Sequence, residues 1–238
     1  MKKTSIMFGQ MLQQIRRDMM LIMVCVVPII VSILVKFGIP SLEAYICDYF
    51  HESEIITPYY YVCDWLIAML PGMMFAFVGG LVVLGEIDDK IAGYMAVTPA
   101  GNGEYLFSRL GIPSILSMIL SIVLVLAFGI SKMQIADIFV LCAGSSLLGV
   151  IIALLVIALS TNKVEGMAVG KLSAIISLGM FVPIIFSGAG AYLAGVLPSF
   201  WIGKYLLEKN AIELLGFVIV YGIWFYVLVK RYQKKVLL

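Results

Sequence analysis

The sequence predicts an all-α membrane protein with six transmembrane helices, and three observations lead there. Of 238 residues, 63% are apolar and only 13% are charged, with a mean hydropathy of +1.10; a soluble domain of this size carries nearer a quarter charged residues. Six uncharged apolar runs each have the length, roughly 17 to 25 residues, that a helix needs to cross about 30 Å of hydrocarbon. The basic residues are divided unequally between the two sides those runs define.

The elements follow in order. Phe8, Met11, Leu12 and Ile15 fall at i, i+3, i+4 and i+7, one face of a helix, while Gln10, Gln13, Gln14, Arg16 and Arg17 take the rest. Residues 1–18 therefore read as an amphipathic interfacial helix with its basic face toward lipid head groups, or as a simple extension of the first span. The spans themselves read as 19–35, 65–84, 110–130, 138–159, 172–193 and 211–229. No water pairs the backbone inside a bilayer, so each run must be helical. Together they make residues 1–238 one transmembrane domain, with no linker and no second domain expected. Twelve of the 16 Lys and Arg residues lie on the side that holds both ends of the chain, leaving Lys36, Lys132, Lys204 and Lys209 on the other. That bias predicts a multi-pass protein of the cell membrane with both termini cytoplasmic. No cleavable signal peptide is expected, because Lys2 and Lys3 precede a polar stretch instead of a short apolar one.

Outside, a long loop from Lys36 to Asp64 reads as a folded cap, with Lys36 and Asp64 themselves at the interface. Ala194 to Asn210, with Pro198 and Trp201, reads as a short interfacial or re-entrant element. Cys47 and Cys63 share the first loop and are within reach of a disulfide; Cys25 and Cys142 lie in spans. Rows of small residues, Gly72-Ala76-Gly80 and Ser187-Ala191-Gly195 with Gly166 and Gly170, let helices approach closely. Pro28, Pro71 and Pro183 are expected to kink or break their helices. Ser114, Ser117 and Ser121 on the third span, with Ser173 and Ser177 on the fifth, are expected to bond back to their own helices.

Several function classes are excluded. No metal-ligand spacing, no catalytic constellation around the single His51 and no phosphate-binding loop occur, so no cofactor is expected on this chain. A net charge of +2 offers nothing for nucleic acid. Intramembrane carboxylate, His or Cys pairs that an enzyme would need are missing, as are the buried ion ligands of a secondary transporter. A path without charges suits a hydrophobic or amphipathic cargo. The secondary transporter remains the alternative.

Between the second and third spans runs Gly85-Glu86-Ile87-Asp88-Asp89-Lys90-Ile91-Ala92-Gly93-Tyr94-Met95-Ala96-Val97-Thr98-Pro99, followed by the turn Ala100-Gly101-Asn102-Gly103. It reads as a short cytoplasmic helix on which a soluble partner can push, or as an ordinary charged loop. This order of parts resembles the permease subunit of ABC-2 type transporters. The shared features are the amphipathic N-terminal helix, the acidic exit from the second span, the Gly-containing segment ending in Thr98-Pro99, and the small-residue end of the fifth span before Leu197-Pro198. Where relatives often have Gly-Thr-Leu-Glu, this chain has Gly93-Tyr94-Met95-Ala96. The resemblance implies an exporter with a cytoplasmic coupling helix, a second permease chain and a separate ATPase that binds ATP and Mg. It places coupling on Glu86, Asp88, Asp89, Lys90, Gly93, Thr98 and Pro99, with Phe8, Met11, Leu12, Ile15, Arg16 and Arg17 forming the interfacial helix. Peptide, toxin, lipid and drug are the cargoes it allows.

Overall fold

A computed structural model of the chain describes residues 2–89, 101–186 and 188–236. Among these, six helices are long and apolar enough to cross a membrane, and the rest of the described chain packs around them. The second span (Tyr60–Asp88) and the fourth (Ile135–Leu159) form the centre: 67% and 78% of their apolar windows are buried, against 17–33% for the other four.

Small residues explain why these two lie innermost. An added Cβ at Gly72 would stand 2.5 Å from the Ser145 carbonyl oxygen, and one at Gly149 would run into the Gly72 carbonyl. The backbones therefore touch directly, as they must where lipid offers no hydrophobic drive for helices to associate. Trp65, Leu141, Leu148, Ile151 and Leu154 are fully buried around that crossing. Polar side chains join further helices to it. Ser117 and Ser173 bond back to Ser114 and Val169 at 2.8 Å as expected, but Ser121 donates to the Ala68 carbonyl at 2.8 Å. Ser114 pairs with Ser146 of the fourth span at 2.6 Å. These two serines are glue between helices, because a neighbouring helix offers an acceptor at the same depth.

Most helix ends lie beyond the predicted ones. The first span runs from Met19 to Phe50 instead of stopping at 35, and ends where His51 turns left-handed at φ 56°. At 1.5 Å per residue it is roughly 48 Å long, well past the hydrocarbon. The long outer loop expected from Lys36 thus shrinks to the residues before Thr57. The fifth span begins at Lys163, so Lys163 and Lys171 belong to a helix and not to a loop. The sixth extends from Ala211 to Val236, where Lys235 donates to the Ile157 carbonyl at 2.6 Å and to that of Ser160, clasping the end of the fourth. Helices continue through Pro28 and Pro71, whereas the fifth is interrupted at Ala174 and by a tight 3-10 turn, Gly179–Phe181, just before Pro183. The expected re-entrant segment is a helix, Pro198–Glu208, with Phe200, Ile202 and Lys204 buried. Its Lys204 ammonium is paired with Glu208, which raises its pKa, and lies 4.8 Å over the Tyr192 ring.

The span ends opposite the chain termini are held by buried carboxylates. Glu43 accepts from the Thr57 amide at 2.7 Å and its hydroxyl at 2.6 Å. Asp64 is not interfacial as its position suggested but completely buried. It accepts from the amides of Ile130 and Ser131 at 2.9 and 2.8 Å and from the Ser131 hydroxyl, capping the turn between the third and fourth spans. Asp64→Ala would strand those donors, so we expect a loss of about 3 kcal/mol, read as a lowered melting temperature in detergent. Cys47 and Cys63 are free thiols, not a bridge.

At the basic end, the N-terminal helix (Lys2–Arg17) is separate from the first span and not an extension of it. Asp18 leaves helical geometry (φ −112°, ψ 103°), and its carboxylate caps the new helix at the amides of Met20 and Leu21.

Candidate functional site

The N-terminal helix packs onto the bundle through Met7 and Met11, with Phe8 and Ile15 half-buried beside Val78, Leu81 and Leu84. Leu12, Arg16 and Arg17 face outward, so the predicted apolar face is rotated: part of it serves the protein and not the lipid. Here the second span ends, and the third enters through a short helical turn (Gly101–Leu106) and one wide π turn (Phe107–Gly111). Such wide turns displace side chains from the ordinary helical register and are common at functional sites. This one carries Arg109.

Arg109 and Glu86 are 2% and 3% exposed and form a forked pair. The Arg109 Nε donates to Glu86 Oε2 at 3.0 Å while Nη2 engages Oε1. Tyr105 donates its hydroxyl to the same carboxylate at 2.6 Å, and Gln14 of the N-terminal helix adds an amide at 3.3 Å. The remaining guanidinium nitrogen, Nη1, donates to the Met7 carbonyl. Tyr232 of the sixth span lies fully buried in the same core cluster as Tyr105. One ion pair thus ties three elements: the exit of the second span, the entry of the third and the N-terminal helix. Close approach of the backbone completes it, since an added Cβ at Gly79 would stand 2.7 Å from the Arg109 carbonyl oxygen.

The structure places the predicted residues unevenly. Glu86 turns inward, whereas Asp88 and Asp89 face outward from the last turn and cap of the same helix. Lys90, Gly93, Thr98 and Pro99 lie outside the described residues, as does Ser187. Sequence reasoning missed Arg109, Tyr105 and Gln14 as partners. A usable signal existed: a lone arginine at the rim of one apolar run faces a lone glutamate at the rim of the preceding one, and ionisable groups at that depth pair.

A family model described as fluoroquinolones export permease protein Rv2686c-like matches residues 11–231. No individual curated protein matches the chain. The match takes in the first five spans, the sixth as far as Arg231, the Glu86–Arg109 pair and the second part of the N-terminal helix, from Met11, and it agrees with the ABC-2 permease resemblance. The chain belongs to the Rv2686c-like fluoroquinolones export permease family.

Proposed function

We propose that this permease is the transmembrane subunit of an ATP-driven exporter. A second permease chain would complete the path, and a separate ATPase carrying ATP and Mg would dock at the basic, cytoplasmic end. The cargo is hydrophobic or amphipathic; a fluoroquinolone, named in the family's description, is an amphipathic aromatic and fits a path without charges. The observation that supports this reading best is the Glu86–Arg109 knot. Force applied to the residues after Asp88 reaches a buried pair that also holds the N-terminal helix and the third span, so those elements move as one body.

In this reading Asp88 and Asp89 are docking contacts, together with Lys90, Gly93, Thr98 and Pro99, while Glu86 positions the docking element without touching the partner. Co-purification with an ATP-binding cassette ATPase of the same genome tests it. Asp88→Arg plus Asp89→Arg should weaken assembly by at least about tenfold, as reversed charges do at a docking surface, with an unchanged melting temperature because both side chains are exposed. Native-like assembly and ATP turnover in that variant would rule out this docking place. The broken fifth span favours a second reading, a secondary transporter, since interrupted spans line binding sites in that class. A permease that exports cargo on an ion gradient and binds no ATPase would establish it.

A further inference from the structure

We propose that the polar cavity at the joint between the N-terminal helix and the first span binds the headgroup of an amine-bearing phospholipid, a phosphate diester carrying a primary ammonium. The cavity is about 470 Å³ and lies between residues 14–21, the end of the second span and Lys163. That volume falls within the range of small-ligand sites.

Its charged groups are not equivalent. Glu86 is already neutralised by Arg109, and the Asp18 carboxylate is occupied by the amides of Met20 and Leu21 at 3.0 and 3.4 Å. Arg17, Lys163 and Asp89 remain, none of them in an ion pair among the described residues. Two cations beside one carboxylate complement a phosphate next to an ammonium. Arg17 and Lys163 would donate charge-assisted hydrogen bonds to the phosphate, and the ammonium would donate to Asp89. A choline headgroup has no N–H to offer Asp89, and a glycerol headgroup brings no positive charge to it.

Two further observations point to a lipid as the source of that phosphate. The stem of Lys163 lies across Gly85, where an added Cβ would collide with its Cε and stand 2.9 Å from its Nζ. The glycine thereby lets the ammonium reach the cavity wall. At the rim, Met19 and Met20 are 68% and 45% exposed, and Met23, Ile30 and Leu34 continue an apolar strip down the first span. Acyl chains attached to a headgroup in the cavity would lie along that strip.

Headgroup binding requires no ATPase, so the permease alone is measured. The full chain is reconstituted in vesicles of phosphatidylcholine, phosphatidylethanolamine and phosphatidylglycerol in equal parts and extracted in mild detergent. Retained lipids are then quantified by mass spectrometry. Phosphatidylethanolamine should be retained about tenfold over phosphatidylcholine, the value of one charge-assisted hydrogen bond. Lys163→Ala should lower phosphatidylethanolamine retention about tenfold by removing one charge-assisted donor from the phosphate, and Lys163→Arg should preserve it. Both variants should melt like the native chain because Lys163 is exposed. Added inorganic phosphate should leave the lipid in place. Equal retention of the three lipids, stronger retention of phosphatidylglycerol, displacement by inorganic phosphate, or an unaffected Lys163→Ala would each overturn the proposal.

Discussion

Gly149→Leu should leave no stably folded bundle. The residue sits against the Gly72 carbonyl with no room for even one added carbon, and the second and fourth spans are the most buried elements of the chain. Overpacking a well-filled core costs about 1–3 kcal/mol when side chains can shift. Here the obstacle is backbone, so the loss should exceed about 3 kcal/mol. The readout is size exclusion and thermal unfolding in detergent, where the variant should aggregate or melt far below the native chain. Gly38→Leu is the control: nothing lies within 4 Å of an added Cβ there, and its melting temperature should stay close to native. A well-behaved Gly149→Leu protein would mean that the two central helices do not cross as described.

Removing one partner of the buried ion pair should have an effect of similar size. Arg109→Met leaves the Glu86 carboxylate buried with only Tyr105 and Gln14 as donors, and frees the Met7 carbonyl. Breaking such pairs costs about 3–5 kcal/mol. Replacing both partners together, Glu86→Met with Arg109→Met, should recover most of that loss, because apolar groups of similar volume often substitute for a buried pair at little cost. Recovery of stability need not restore function. The double variant lacks the forked geometry and the tie to the N-terminal helix, so under the proposed ATP-driven mechanism turnover should no longer respond to cargo. Melting temperature and cargo-stimulated turnover together separate the two roles. A double variant with native coupling would show the knot to be structural ballast only.

The spans were legible in the sequence because hydrocarbon thickness imposes a length that few other constraints imitate. Their ends were not, because a run of uncharged residues stops at the first charge, whereas a helix stops where its backbone is capped. Lys36, Glu43 and Asp48 stand inside the first helix, which halts only at the left-handed His51. The true start of the fifth helix was written in the chain as an Asn N-cap with a glutamate three residues on, a relative of the capping box whose return bond falls one residue earlier. Asn162 accepts from the Glu165 amide at 2.9 Å, and the Glu165 carboxylate accepts from the Thr161 amide at 2.6 Å. The exit of the second span was legible as a place, through its acidic residues after an apolar run. Its internal wiring was not: Glu86 and Asp88 are alike as letters, and only the tertiary position of Arg109 turns the first inward and leaves the second exposed.

The length of the first helix has a mechanical consequence. A rod of roughly 48 Å anchored beside the N-terminal helix acts as a lever, and a tilt of about 10° at its basic end carries the far tip by about 8 Å, less any bend taken up at Pro28 and Pro40. Glu43, near that tip, grips Thr57 ahead of the second span. A small displacement at one end of this helix would thereby be amplified at the other and handed directly to the neighbouring helix.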